Sequence, residues 1–531
     1  MGASPTMTPE LDLADASLAD LQRALSDGRA TASALTRGYL ARVEAYDRAG
    51  PAVNAVRAVN PDALAIAAEQ DGRKPSQRHP LAGIPILVKD NVATGDRQHT
   101  TAGSLALATA RARQDATVVK RLRAAGAVIL GKANLTEFAN ILAIEMPSGY
   151  SSLGGQVKNP YAPRLDARGF PVVSPGGSSA GSAVAVAAGL CAAAIGTETS
   201  GSLLNPASQN GLVTVKPTVG LVSCAGVIPI AHSQDTVGPL TRTVRDAAIL
   251  LNVLAARDPA DPATRKLQRP PDYTACLDPD GLQGARVGVP GDPGDPGNDV
   301  YFSKLTPRAQ AAMAQALATL EAQGAVLIRA NIPTEGWIGG PGTTMSILNR
   351  NPYSQRQNTP AYSSIVFMYE LKHDLNRYLR DWACETEMRT LGDIAAFNAA
   401  HPEAMRFGQD LFLAAEATRG DLSEIEYKAA RASDLRASRA LGLDAYIARH
   451  RLDAVVFPQA LGCAIAAKAG YPSVQVPAGF TSGIDGKPTA DFPLGLSFTG
   501  PAWSEPVLLR LAYAYEQAAQ QRRPPPGFGA V

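Results

Sequence analysis

An α/β fold is what the sequence predicts, and three observations predict it. The amphipathic run ATVVKRLRAAG (116–126) passes through one glycine, Gly126, straight into the apolar run AVILG. A helix that feeds a strand through a single glycine is a unit of an α/β sheet. LAGIPILVKDN (81–91) is a short apolar run ending in charge, as a buried strand does. GGSSAGSAVAVAAG (176–189) continues at helical length with small residues only, and CAAAIGTE (191–198) then reads as a short buried strand.

The elements follow in order. From Leu11 to Gln70 the chain reads as helix, with apolar residues at three- and four-residue spacing and stops at Gly28 and Gly50. After the strand, helix and strand of 81–131 come the small-residue helix and the strand CAAAIGTE, then SGSLLNPAS as a loop. GVPGDPGDPGN (288–298) is the strongest turn-rich stretch and marks a boundary. Leu305–Gln323 reads as a helix and AVLIRANIP as a strand. Residues 336–436 are more polar and helical, with Trp337, Tyr353, Tyr362, Phe367, Tyr369, Tyr378 and Trp382, and suggest a cap-like insertion. From about Leu441 the core pattern returns in LDAVVFP, SVQVPAGF and a closing helix, EPVLLRLAYAYEQAAQQ. The expected organisation is therefore one domain over 1–531: N-terminal helices (1–70), a core (71–290), the cap-like insertion (336–436) and a C-terminal part of the core (441–531).

Composition narrows the function. With 45% hydrophobic and 18% charged residues the chain can bury a large core. A net charge of +2 leaves no electrostatic footprint for nucleic acid or an acidic membrane. Five widely spaced cysteines form no C-x-x-C, which argues against a disulfide framework and for a reducing, cytoplasmic setting. The N-terminus lacks a basic n-region and an apolar h-region; Met1–Thr6 fits a myristoylation pattern, but with Pro5 inside it. The longest apolar stretch, Ala183–Gly196, is too short to span a bilayer, so a soluble protein is expected.

Several motifs almost appear. GAVILGKA (126–133) approaches a phosphate loop but lacks its Ser or Thr, and its first glycine ends a helix. GSSAG (177–181) fits the nucleophile elbow G-x-S-x-G, yet follows Pro175 and a glycine pair rather than an apolar strand. There is no H-E-x-x-H, and no two of the six histidines are close in sequence, so no metal and no cofactor are expected.

Lys89, ending an apolar strand, is unusual because burying an ammonium is costly. Alone it reads as a snorkelling lysine or an ion-pair partner of Asp90. The order of Lys89, Gly-Gly-Ser-Ser and Thr-Glu-Thr-Ser-Gly-Ser changes that reading. Together with GAVILGKANLTEFA, GYSSLGGQVKNPY, KPTVGLVS and AGYPSVQVPAGF, the sequence resembles the amidase signature family over most of its length. The resemblance implies a twisted mixed β-sheet flanked by helices on both sides, and a triad of Lys89, Ser178 and Ser202. In that triad Ser202 is the nucleophile and Ser178, a serine with a cis peptide in the family, passes the proton. The resemblance also implies an oxyanion hole from the backbone amides of Thr199, Ser200, Gly201 and Ser202.

The chemistry is consistent with this. A serine hydroxyl needs a base, and no histidine lies near either serine motif. Burial can lower a lysine pKa from ~10.4 by ~3–5 units, leaving a neutral amine. Three departures from the family's T-D-T-G-G-S-I-R-I-P-A stand out. Glu198 replaces Asp and could still brace the loop; Ser200 replaces Gly and narrows the backbone's freedom; Leu204 replaces Arg and removes a charge or opens an apolar wall. Met146 and Tyr150 read equally as pocket lining or core, Ser179 and Ser182 as helix-packing and capping serines, and Asp235–Pro239 as structural.

The expected activity is hydrolysis of carboxamides, with carbamates or esters as related substrates. HSQDTVGPLTRTVRDAA, YELKHDLNRYL and FGQDLF look most like the branch containing peptide amidases, aryl acylamidases and urethanases. The expected partner is a small-molecule amide or carbamate, with no nucleic acid and no membrane, and the protein is expected to be a monomer or homodimer. The alternative reading is the glutamine-hydrolysing subunit of a tRNA-dependent amidotransferase; a third is an inactive binding relative.

Overall fold

Apolar runs with no polar face can be buried only between two layers, and here they pair into a central mixed sheet flanked by helices. The computed structural model describes residues 11–73, 79–291, 301–302, 305–334, 364–481 and 491–531. Among these, eleven strands form the sheet. They are β1 (Val56–Val59), β2 (Pro85–Lys89), β3 (Val128–Ala133), β4 (Ala193–Glu198), β5 (Val213–Lys216), β6 (Thr236–Thr241), β7 (Arg286–Pro290), β8 (Val326–Ala330), β9 (Ala454–Pro458), β10 (Ser473–Thr481) and β11 (Phe492–Thr499). Their order is β1-β3-β2-β4-β6-β5-β10-β11-β9-β7-β8.

Parallel neighbours need a crossover connection. The helix Thr117–Ala124 lies between β2 and β3, and Pro307–Ala322 between β7 and β8. β2 also pairs in parallel with β4, setting Val88 opposite Ile195. The C-terminal ends of β2 and β4 therefore emerge side by side, and such an edge is where open α/β sheets place ligands.

The helix Ala180–Ala187 is buried at all eight residues. Its small residues are a packing requirement. A Cβ on Gly181 would lie 2.4 Å from the carbonyl oxygens of both Ala55 and Asn134. Backbone cannot yield there, so this position admits no side chain.

The N-terminal segment is less helical than expected. Helices Leu18–Ser26, Ala32–Arg42 and Ala63–Asp71 form, but Val56–Val59 is an antiparallel edge strand on β3. A four-residue VRAV has no helical or alternating signature strong enough to outweigh its neighbours; pairing with β3 decides it. SGSLLNPAS is not wholly loop, because Leu204–Gln209 is helical. β7 runs on to Pro290, into the turn-rich stretch, and residues 292–298 of that stretch lie outside the described residues.

In the 336–436 region, residues 364–436 are described and are largely helical: Ile365–Asp381, Leu391–Ala400, Asp410–Glu416 and Ile425–Leu435. Leu371, Leu375, Leu391 and Phe412 of these helices form a second apolar cluster with Phe138, Ile141, Leu142, Met146, Ile228 and Ile230. Each fully buried Leu or Phe there contributes about 1.5–3 kcal/mol, which is what holds these helices on the loops of the core. Trp382 bridges this cluster and the main one, with its ring against Gly226, and its carbonyl accepts from Arg113. Trp337, Tyr353 and Tyr362 lie outside the described residues.

Candidate active site

Lys89 ends β2 and is fully buried. Its Nζ lies 2.8 Å from Ser178 Oγ and 2.9 Å from Thr197 Oγ1, and donates a longer bond of 3.3 Å to the Thr197 carbonyl. Asp90 is not its partner. That carboxylate is 2.5 Å from Arg57 Nε and also accepts from Thr101. Burial is the main influence on Lys89 and lowers its pKa from 10.5 to about 7, against the opposing pull of Asp235 and Glu198. That displacement corresponds to roughly 5 kcal/mol against the ammonium form. Near neutral pH the amine can therefore accept a proton.

Ser178 is also fully buried and follows a cis peptide bond at Gly177–Ser178. Its carbonyl accepts from the Thr136 amide at 3.0 Å. The Thr136 hydroxyl accepts from the Gly149 amide at 2.8 Å, so the 146–150 segment stands beside the Ser178 turn. Ser179 and Ser182 fasten the following helix to β4. Ser179 Oγ donates to the Thr197 carbonyl and accepts from its amide; Ser182 Oγ donates to the Ile195 carbonyl. Ser179 occupies the N-cap position, but its side chain makes no capping bond. These serines are packing residues without a capping role.

Ser202 lies in the loop after β4, 7% exposed, with its carbonyl accepting from the Ser179 amide at 3.2 Å. That bond draws the Ser202 turn onto the Ser178–Ser179 turn. Glu198 braces the loop as its sequence position suggested. Its Oε2 accepts from the amides of Leu203 and Leu204 at 2.7 and 3.0 Å. Ser200 is no backbone conflict: Gly201, at φ +89°, takes the left-handed conformation, and Ser200 does not. A side chain on Gly201 would also press on Cys463 Sγ, 3.1 Å from its Cβ position.

Thr197, Asn91, Gln234 and Asp235 were not singled out by sequence as parts of this site. Thr197 is a hub: its Oγ1 receives Lys89 and the Asn91 amide, the latter at 3.1 Å. Thr199 is held from the far side. Its hydroxyl donates to Asp235 Oδ1 at 2.5 Å, and its carbonyl accepts from Gln234 Nε2 at 3.2 Å. Asp235 Oδ2 accepts from the amides of Ile230 and Ala231. Burial pushes the Asp235 pKa up to about 7 despite these bonds. The only available clue was Asp235 beside a strand start, since β6 begins at Thr236. Asp235→Asn is expected to lower turnover about 10- to 100-fold, because its NH₂ would face either the two backbone amides or the Thr199 hydroxyl, which would have to turn from donor to acceptor and shift Thr199. Steady-state kinetics checks this, with KM changing less than kcat.

Met146 is buried in the second cluster. Tyr150 is half-buried, edge-on to Phe407 with centroids 4.9 Å apart. Leu204 is buried at the first turn of its helix. The two lysines of the near-phosphate-loop and core strands are structural donors. Lys132 Nζ donates to the Val92 carbonyl and Thr100 Oγ1, and Lys216 Nζ to the Tyr471 carbonyl. Among the described residues, His232, His373 and Asp374 are gathered closely enough to hold an ion, and no hydrogen bond joins them to Lys89, Ser178 or Ser202. No described helix is long and apolar enough to cross a membrane.

A family model described as Amidase matches residues 34–509. The crystal structure of the native peptide amidase from Stenotrophomonas maltophilia is 42% identical, with a TM-score of 0.81, covering 96% of this chain and 98% of that one. A probable amidase from Arabidopsis thaliana is 37% identical over 98% of this chain and 93% of its own length. A glutamyl-tRNA(Gln) amidotransferase subunit from Thermosynechococcus vestitus is 34% identical over 94% of this chain and 97% of its own length. With a family match across nearly the whole chain and a sheet edge that gathers the signature lysine and serines, this chain belongs to the amidase family and is an amide-hydrolysing enzyme.

Proposed function

We propose that the enzyme hydrolyses small apolar or peptide-like carboxamides through an acyl-enzyme on Ser202. The observation that carries this reading is Lys89, buried with Nζ 2.8 Å from Ser178 Oγ and its pKa lowered to about 7. In this reading Ser202 Oγ attacks the carbonyl carbon while its proton passes to Ser178 and from Ser178 to Lys89. The amides of Thr199, Ser200, Gly201 and Ser202 receive the developing oxyanion. The C–N bond then breaks and the leaving amine takes a proton from Ser178, which Lys89 replenishes. Water enters by the same route in reverse, releases the acid and restores Ser202.

Met146, Tyr150 and Leu204 are assigned to the substrate wall, since 146–150 abuts the Ser178 turn and Leu204 follows the Ser202 loop. The helices of residues 364–436 act as a cap over it. Similarity to a peptide amidase at 42% identity favours peptide amides over free glutamine. A panel of peptide amides, anilides, carbamates, esters and glutamine, read by mass spectrometry, tests this. Peptide amides are expected to release ammonia fastest. Glutamine turnover that depends on an added partner protein would instead support the amidotransferase reading.

The same relay makes a further prediction. Because a neutral amine serves as base, prolonged chelation is expected to leave most of the turnover intact. Activity lost with chelator and restored by zinc or magnesium would contradict the relay.

A further inference from the structure

The loop that carries Asp235 meets the helix Ile365–Asp381 through a second polar cluster. Glu370, His373 and Asp374 stand at i, i+3 and i+4 on that helix and so share one face. His232 comes to them from the loop. Its Nδ1 is 2.8 Å from Asp374 Oδ2, and the Nδ1 of His373 is 2.8 Å from Asp374 Oδ1. Glu370 Oε2 is 3.6 Å from His232 Nδ1. The two ring centroids are 6.2 Å apart. The cluster is open to solvent: the His232 side chain is 51% exposed and that of His373 35%. A cleft of about 160 Å³ lined by His232, Asp235, Asp374 and Arg377 adjoins it.

We propose that His232, His373 and Asp374 form a binding site for a divalent transition metal, zinc foremost. The ligands are one ring nitrogen of each histidine and one carboxylate oxygen, with water completing the shell. Two imidazoles with one carboxylate suit zinc and its neighbours, and do not suit the all-oxygen preference of calcium or magnesium. One ring nitrogen from each histidine and one oxygen of Asp374 already lie within 4.8 Å of one another. A tetrahedral zinc with bonds of about 2.0–2.2 Å needs its ligand atoms about 3.3–3.6 Å apart, so side-chain rotation of roughly an ångström completes the site.

The carboxylate that now holds both imidazoles would exchange its bonds to the two rings for the ion and keep the one it accepts from the His232 amide at 2.9 Å. Glu370 is left as an outer partner, bonded to Tyr427 and to the Ser233 amide. Arg377, one turn further on, is drawn toward Asp381 at 3.7 Å. The ion clamps the 229–235 loop to the helix; no step of hydrolysis passes through it.

The test is calorimetric titration of the metal-stripped full chain with zinc chloride at pH 7, with metal analysis after desalting. One zinc per chain is expected, with cobalt(II) giving visible d–d absorption at the same site. His373→Ala is expected to weaken zinc binding at least tenfold while the metal-free enzyme keeps its amidase turnover. His450→Ala, at the end of a separate helix, is expected to bind zinc as the parent does. His373→Gln, which keeps the helix and some polarity, serves if the alanine variant is poorly folded. No zinc uptake by the parent, or uptake unchanged in a folded His373 variant, overturns the site.

Discussion

Ser202→Ala is expected to abolish hydrolysis, by on the order of 10⁴-fold or more, while leaving the fold intact. The reason is local. Ser202 is 7% exposed, and the tie from its turn to Ser179 runs through its carbonyl, which alanine keeps. The loop is also held by Glu198 on the amides of Leu203 and Leu204, and by Asp235 on Thr199. None of these bonds uses the Ser202 hydroxyl, so its loss removes the nucleophile and little else. Turnover by the purified variant on the best amide of the panel, with circular dichroism and thermal unfolding beside it, checks both halves. A fluorophosphonate probe should label Ser202 in the parent and nothing in the variant. Substantial residual turnover, or labelling of another serine, would reject the assignment.

Lys89→Arg and Lys89→Met are each expected to lower hydrolysis by about 10²- to 10⁴-fold, the usual worth of a positioned general base. Burial depresses the Lys89 pKa to about 7, so the neutral, proton-accepting amine predominates above that pH and disappears below it. The parent's kcat/KM should therefore fall about tenfold per pH unit below about 7 and level off above it. Arginine stays protonated throughout, so Lys89→Arg should show no recovery at alkaline pH. If Lys89 were only a structural cation, arginine would preserve the charge and much of the activity. Asp235, raised to about 7 by burial, ionises over the same interval. A pH profile of Asp235→Asn separates the two groups: the rise near 7 should persist in that variant and vanish in Lys89→Arg. Because Lys89 is fully buried and bonded to Ser178 and Thr197, both lysine variants need a folding check by circular dichroism before their rates are read.

The sequence by itself determined the family, the α/β class and the main strands and helices of the signature core. Long apolar runs bounded by glycine carry that information locally, and LAGIPILVKDN and CAAAIGTE became β2 and β4 for that reason. Local pattern could not decide Val56–Val59 or Leu204–Gln209, which are short and take their form from a paired strand or from Glu198 on their leading amides. The site divides the same way. The proposed triad of Lys89, Ser178 and Ser202 could be named from the sequence because the motifs that carry it are long. Thr197, Gln234 and Asp235 could not, because a hydrogen bond between distant segments leaves no trace in the spacing of either. Only the tertiary structure decided whether Lys89 pairs with Asp90 or faces Ser178. Parallel pairing of β2 with β4 sets its amine beside Thr197, Arg57 takes the Asp90 carboxylate, and complete burial then raises the cost of the ammonium until the neutral amine is about equally populated near neutral pH.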